Sequence, residues 1–176
     1  VKKKLQDVLE KEWVSDEPVD CIPYSRDLIT DGLKAYAERR PDIVVMPGST
    51  LDVQNVMKVA NQFKIPVHLI GGGVTLLGGS IPVTGGIMVD MKRMKGISLD
   101  RENLTVTVEA GVFITTLTGY FKELSEKERF HWRPYFTGAP GQSLNNATNI
   151  FQGINKFAGL KYGVGIQNIV SLKLSK

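Results

Sequence analysis

The segment Ile65-Pro66-Val67-His68-Leu69-Ile70-Gly71-Gly72-Gly73-Val74-Thr75-Leu76-Leu77-Gly78-Gly79-Ser80 constrains this chain more than any other. It reads as a buried strand that enters a loop carrying five glycines, where the backbone can approach another molecule with no Cβ in the way. Successive N–H groups in turn conformations form an anion-binding concavity without side-chain charge. A diphosphate is the guest that such a loop fits.

Spacing separates three phosphate-loop readings. A P-loop ends in Gly-Lys-Ser/Thr, and neither Gly73-Val74-Thr75 nor Gly79-Ser80-Ile81 supplies the lysine. The dinucleotide fingerprint G-x-G-x-x-G begins well at Gly71 and Gly73 but meets Leu76 at its third glycine. Asp90, closing the next strand, stands about where that fingerprint places a ribose ligand. The crossover helix is what is missing: Gly78-Gly79, Pro82 and Gly85-Gly86 forbid it, so the loop has to bind through backbone amides alone. Gly85-Gly86, between Thr84 and the run Ile87-Met88-Val89-Asp90, reads instead as a tight structural turn.

At 176 residues the chain has room for a sizeable core, and 42% hydrophobic and 23% charged residues describe an ordinary globular composition. No apolar run approaches the roughly 20 residues that span a bilayer, and no signal-peptide pattern opens the chain, so a cytoplasmic location is expected. The net charge of +4 is modest and owes part of its value to Lys2-Lys3-Lys4, which reads as a solvated helix start and not as a nucleic-acid surface. Cys21 is the single cysteine, so the chain by itself holds no disulfide, iron–sulfur cluster or structural zinc. His68 and His131 have no second ligand nearby in sequence; both read as structural, and no metal site is expected.

The apolar spacing predicts a helix from Val1 to about Trp13 and a polar connector from Ser15 to Pro23. A βαβ unit follows, with a strand at 42–46, a helix at 50–63 begun by Ser49 and Asp52, and a strand at 65–70. Right-handed crossover makes the two strands parallel and puts Pro47 and Gly71 at one carboxyl edge, where ligands of α/β sheets collect. Beyond Ile87 the pattern changes to a strand at 87–91, a hairpin of 96–99 with 104–109, a helix at 113–124 and a charged turn at 124–129. Residues 130–149 read as a long loop of the kind that binds something. The alternating segment Asn168 to Leu174 reads as a strand that stops without a turn, as in a truncated fragment of a longer protein.

In their order, Tyr24-Ser25-Arg26-Asp27, Val44-Val45-Met46-Pro47, Ile70-Gly71-Gly72-Gly73-Val74-Thr75 with Gly78-Gly79, Ile87 to Met94, Val108-Glu109-Ala110-Gly111-Val112 and Lys161-Tyr162-Gly163 resemble the FAD-binding domain of the vanillyl-alcohol-oxidase/PCMH superfamily. Within it the chain is most similar to the glycolate oxidase and D-lactate dehydrogenase group. The resemblance implies an α+β fold: a small βαβ subdomain with parallel strands, plus a second mixed or antiparallel β subdomain with helices. It divides the chain into an N-terminal helix and connector, 1–23, and an FAD-binding domain, 24–176.

It also implies FAD as cofactor, held by Gly71, Gly72, Gly73, Val74, Thr75, Gly78, Gly79 and Ser80 around the pyrophosphate, with Pro47 as another cofactor contact. Gly141, Gln142, Ser143, Asn145, Asn146 and Ile169 are implied as further cofactor contacts. The family pattern has Gly-Gly where Asn145-Asn146 stand and Asp at the place of Gln167; asparagine is the non-glycine residue that best tolerates a left-handed backbone. Val74 stands where some members tether the flavin through a histidine, so non-covalent binding is expected. By resemblance the whole enzyme oxidises a 2-hydroxy acid such as glycolate or D-lactate and hands electrons to an acceptor protein or an iron–sulfur subunit. Its catalytic residues are expected beyond Lys176. The alternatives are a non-catalytic FAD-binding subunit or fragment and a reductase of the UDP-N-acetylenolpyruvoylglucosamine type.

Overall fold

The computed structural model describes residues 1–25, 39–73, 80–82, 84–103, 105–128 and 171–173. The chain divides into two units, Val1–Met94 and Lys95–Lys176.

The first unit is built on a four-stranded sheet of β1 (Val14–Ser15), β2 (Ile43–Val45), β3 (Val67–Ile70) and β4 (Ile87–Asp90), in the spatial order β1-β2-β4-β3. Strands β2 and β3 both pair parallel with β4, and β1 runs antiparallel to β2. The two strands of the expected βαβ unit are therefore parallel, but β4 lies between them. It is buried along its whole length, in keeping with its unbroken apolar run Ile87-Met88-Val89.

Glycines at the amino edge make this insertion possible. Gly86 sits at φ +96° and Gly85 at φ +69°. The Gly86 carbonyl accepts from the N–H groups of Asp42 (2.9 Å) and Ile43 (3.2 Å), and Ile87 N–H donates to the Pro66 carbonyl at 2.9 Å. The Asp42 carboxylate in turn accepts from Gly86 N–H at 2.7 Å. A Cβ at Gly86 would lie 2.4 Å from the Pro66 carbonyl oxygen, a contact with main chain that no rotamer relieves. His68 Nε2 is 3.1 Å from the Gly85 carbonyl, which can only accept, so that nitrogen carries the proton and the ring pins the same turn.

Helix α3 (Thr50–Phe63) matches the expected boundaries. Ser49 Oγ accepts from Asp52 N–H at 3.1 Å, while the Asp52 carboxylate accepts from Gly48 N–H at 2.9 Å, a capping box displaced by one residue. The helix ends on Lys64 in the left-handed conformation, φ 54°, two residues before Pro66.

The N-terminal helix is shorter than its apolar spacing implies. Helix α1 covers only Lys2–Gln6, with Leu5 fully buried and no side-chain cap, and three lysines oppose the positive end of its dipole. Residues Lys11–Trp13 form a 3-10 turn, after which Val14 and Ser15 join the sheet and Met46 N–H donates to the Trp13 carbonyl at 3.0 Å. The expected connector holds a second short helix, α2 (Pro18–Cys21), whose Cys21 packs with Tyr24, Val44, Ile70 and Met88 on one face of the sheet.

The second unit contains the expected hairpin, β5 (Ile97–Asp100) antiparallel to β6 (Thr105–Val108), with β7 (Ser171–Lys173) antiparallel on the other side of β6. Val106 and Val108 point inward, Thr105 and Thr107 away. Together with Val112 the two valines pack against Leu117 and Phe121 of helix α4 (Ile114–Glu128). The helix continues four residues past the expected end. Its charged last turn is made of good helix formers, and Glu128 pairs with Arg101 of the hairpin turn. That turn is tied by the Asp100 carboxylate, which accepts from Asn103 Nδ2 at 2.7 Å and from the Glu102 and Asn103 N–H groups, holding its carboxyl below the usual carboxylate range.

Gly86→Ala is expected to destabilise the first unit by about 3 kcal/mol, through backbone strain and the clash with Pro66. Thermal unfolding checks it; an unchanged midpoint would show that the turn can relax. Lys64→Gly should instead raise stability by about 0.5 kcal/mol by relieving the left-handed lysine, partly offset by greater freedom in the unfolded chain.

Candidate functional site

The parallel strands bring three chain segments to one carboxyl edge: Met46-Pro47-Gly48 after β2, Gly71-Gly72-Gly73 after β3, and Met91 after β4. Pro47 and Gly71 meet at this edge as the βαβ reading expects, with β4 between their strands. Both are buried, as is Ser80, while Gly72 and Gly73 are half-buried. Val74, Thr75, Gly78, Gly79, Gly141, Gln142, Ser143, Asn145, Asn146 and Ile169 lie outside the described residues.

A cavity of about 410 Å³ opens at this edge, lined among others by Trp13, Tyr24, Met46, Ile70, Gly73 and Lys92. Gly73 turns into it at φ +69°, and a Cβ there would press on Ile70 Cδ1 at 3.3 Å. A glycine is required at this point for both reasons, left-handed backbone and close approach. The beginning of the loop thus has the side-chain-free surface that a backbone-held diphosphate needs, and the residues present fit an FAD pyrophosphate.

Asp90 was not among the expected site residues, and its carboxylate is fully buried at the end of β4, opposite Ile70 in the sheet register. It is not available to a ribose, because donors of the chain itself surround it. Tyr24 Oη donates at 2.7 Å, Lys92 N–H at 2.9 Å and the Lys92 ammonium at 3.0 Å. Burial, and then the hydrogen bond to Asp90, push the Tyr24 phenol well above its ordinary value of 10.0. The phenol therefore stays a proton donor to Asp90 through the neutral range. The Lys92 ammonium also lies 5.7 Å from the Tyr24 ring centre.

A second clamp holds the end of β2. The Arg93 guanidinium stacks 3.8 Å over the Trp13 ring and donates to the Met46 carbonyl at 2.7 Å. A Cβ at Gly48 would come 3.0 Å from its Nη2. Neither clamp is marked by a motif. The available signal was an aspartate closing an apolar strand, which must find donors when buried, followed by two cations. Among the described residues no group of three or more His, Cys, Asp or Glu side chains is placed to hold a metal, and no helix is long and apolar enough to cross a membrane.

Tyr24→Phe removes one of the donors to a buried carboxylate and is expected to cost about 1–3 kcal/mol. The raised phenol makes a further prediction. Its stabilising effect is complete below the unfolded-state value near 10 and is lost as pH climbs toward the folded-state value, so the wild type loses stability above about pH 10 and Tyr24→Phe loses less. Denaturant unfolding across pH 7–11.5 measures both.

Against this geometry, a protein-family profile described as an FAD binding domain matches residues 41–132, just over half of the chain. The glycolate oxidase subunit GlcD of Bacillus subtilis is 27% identical over 99% of this chain and 35% of its own length. A D-lactate dehydrogenase of Anaerostipes hadrus is 29% identical over 79% of the chain and 28% of its own. The chain thus spans about a third of these curated relatives, or less. Among solved structures, alkyldihydroxyacetonephosphate synthase superposes with a TM-score of 0.71 at 18% identity, covering 82% of this chain and 30% of that one. p-Cresol methylhydroxylase with substrate bound gives 0.68 at 23%, covering 83% and 28%. These two likenesses place the fold among PCMH-type FAD-binding domains. With the family profile matching the segment that carries β2, the glycine loop, β4 and the hairpin, the chain belongs to the FAD-binding domain family, and FAD is its cofactor.

Proposed function

We propose that this chain is the FAD-binding portion of a flavin-dependent dehydrogenase or oxidase acting on a small 2-hydroxy acid of the glycolate or D-lactate kind. The observation that carries the cofactor half of this reading is Gly73, left-handed and so close to Ile70 that a Cβ would crowd it, at the carboxyl edge of the parallel strands, where Gly71 and Gly72 lead the loop in. The substrate half rests on the similarity to GlcD and to D-lactate dehydrogenases. When bound, FAD would supply two-electron redox chemistry at the alcohol carbon, with an acceptor protein or iron–sulfur subunit as the proposed destination of the electrons.

The tasks proposed for this chain are binding and orientation. Gly71, Gly72, Gly73 and the residues through Ser80 hold the diphosphate by main-chain N–H groups. Pro47, buried at the end of β2, borders the same edge. Gly141, Gln142, Ser143, Asn145, Asn146 and Ile169 are proposed as the remaining cofactor contacts, and Val74 stands where a tethering histidine would, so the flavin is proposed to be non-covalent. No acid–base catalyst is assigned to this chain.

Acid precipitation of the flavin-loaded protein is expected to release all yellow colour to the supernatant; colour in the pellet would count against non-covalent binding. Gly73→Asp sets a carboxylate and a Cβ where the diphosphate lies, and should weaken FAD binding by at least about tenfold in a fluorescence titration. Anaerobic D-lactate or glycolate should bleach the visible flavin band of the full-length protein. Bleaching by NADPH instead would favour the reductase, and bleaching by none of the three a non-catalytic subunit.

A further inference from the structure

We infer that Lys92 is a cationic contact for the FAD diphosphate, reaching it from the end of the central strand while Tyr24 and its own main-chain N–H keep Asp90 satisfied. This rests on the glycine-loop reading above and adds a residue of another strand to it.

The glycine loop as far as Gly73 contributes main-chain groups and no charge, whereas a diphosphate bears two negative charges that must be balanced when it leaves water. Among the described residues lining the cavity that Gly73 enters, Lys92 is the one cation. Arg93, its neighbour, is not part of that lining and has partners of its own, stacked on Trp13 and bonded to the Met46 carbonyl. Asp20, the acidic residue on the lining, has its carboxylate bonded to Ser15 Oγ at 2.5 Å.

Lys92 is held in place without being buried. Its side chain is 45% exposed, its ammonium is 3.0 Å from an Asp90 carboxylate that is 0% exposed, and it follows β4 by two residues. An ammonium has three donors in rotatable positions, so contact with Asp90 and with a phosphate oxygen are compatible. If the ammonium swings fully to the diphosphate, Asp90 retains Tyr24 Oη at 2.7 Å and Lys92 N–H at 2.9 Å. The Tyr24–Asp90 pair is thus a fixed seat from which the cation can be lent to a ligand. A half-exposed contact of this kind acts on affinity and on its salt dependence.

The test is titration of the chain with FAD, ADP and adenosine at low and high salt, comparing wild type with Lys92→Gln and Lys92→Arg. Glutamine keeps a donor toward Asp90 but removes the charge. It should weaken FAD and ADP about fivefold, leave adenosine unchanged and flatten the salt dependence, and arginine should restore most of the loss. Wild-type ADP affinity that does not change with salt overturns the proposal without any variant. So does Lys92→Gln binding ADP as tightly as wild type. Gly73→Asp in the same titration separates the two levels: if it binds ADP normally the glycine-loop reading fails, whereas a loss with Gly73→Asp alone refutes only the role of Lys92. Absence of ADP binding by the wild type refutes both.

Discussion

The central strand of the first unit enters between two strands that precede it in the chain, and everything at the site depends on that insertion. Three amino ends, at Asp42, Pro66 and Gly86, must meet within hydrogen-bonding distance. The Gly86 carbonyl accepts two N–H groups from one neighbour, while its own N–H goes to the Asp42 side chain and Ile87 donates to the other. Main chain approaches this closely only where there is no Cβ, so the Gly85-Gly86 pair is a condition for the sheet order and not a mere turn. Once β4 is seated, its carboxyl end lies between Pro47 and Gly71, and the edge acquires Asp90, Lys92 and Arg93.

Two side-chain clamps then stiffen an edge made largely of glycine and apolar residues. The Asp90 carboxylate draws in Tyr24 from the segment after α2, so the covering layer is fastened to the strand end by a charge that would be costly to leave unpaired. Arg93 fastens Trp13 to the exit of β2, so the N-terminal residues are part of the sheet's architecture and not an appendage. Rigidity of this kind suits the binding proposed for the loop, because the directions of main-chain N–H groups are set by backbone conformation and cannot be corrected by rotating a side chain.

Much of this was legible in single segments. The Ser49–Asp52 start and the spacing through Phe63 mark α3 to the residue, because a capped amphipathic helix is specified locally. The hairpin alternation around Asp100–Asn103 reads correctly because two-residue periodicity and turn chemistry agree. The helical spacing of Leu5, Val8 and Leu9 overstates the N-terminal helix, because Trp13 and Val14 are drawn off by β2, a partner about 30 residues away. The end of α4 reads too early for the opposite reason, since a charged run with the look of a turn is held helical by Arg101 of the neighbouring hairpin.

A glycine loop that Gly78-Gly79, Pro82 and Gly85-Gly86 keep from running into a helix is a reading the sequence alone supports, because φ preference and the absence of Cβ are properties of individual residues and of their spacing. That was sufficient to read a backbone-held diphosphate and to set aside the lysine-bearing and helix-borne alternatives. Which strand stands beside the loop, and therefore which side chains share its cavity, only the tertiary structure decided. Asp90 stands in sequence where the dinucleotide fingerprint, set aside for want of its helix, would put a ribose ligand; in the fold it is the buried partner of Tyr24 and Lys92. The reason is physical: a carboxylate's role depends on whether water or donors surround it, and that follows from packing between segments 66 residues apart, which no local pattern encodes.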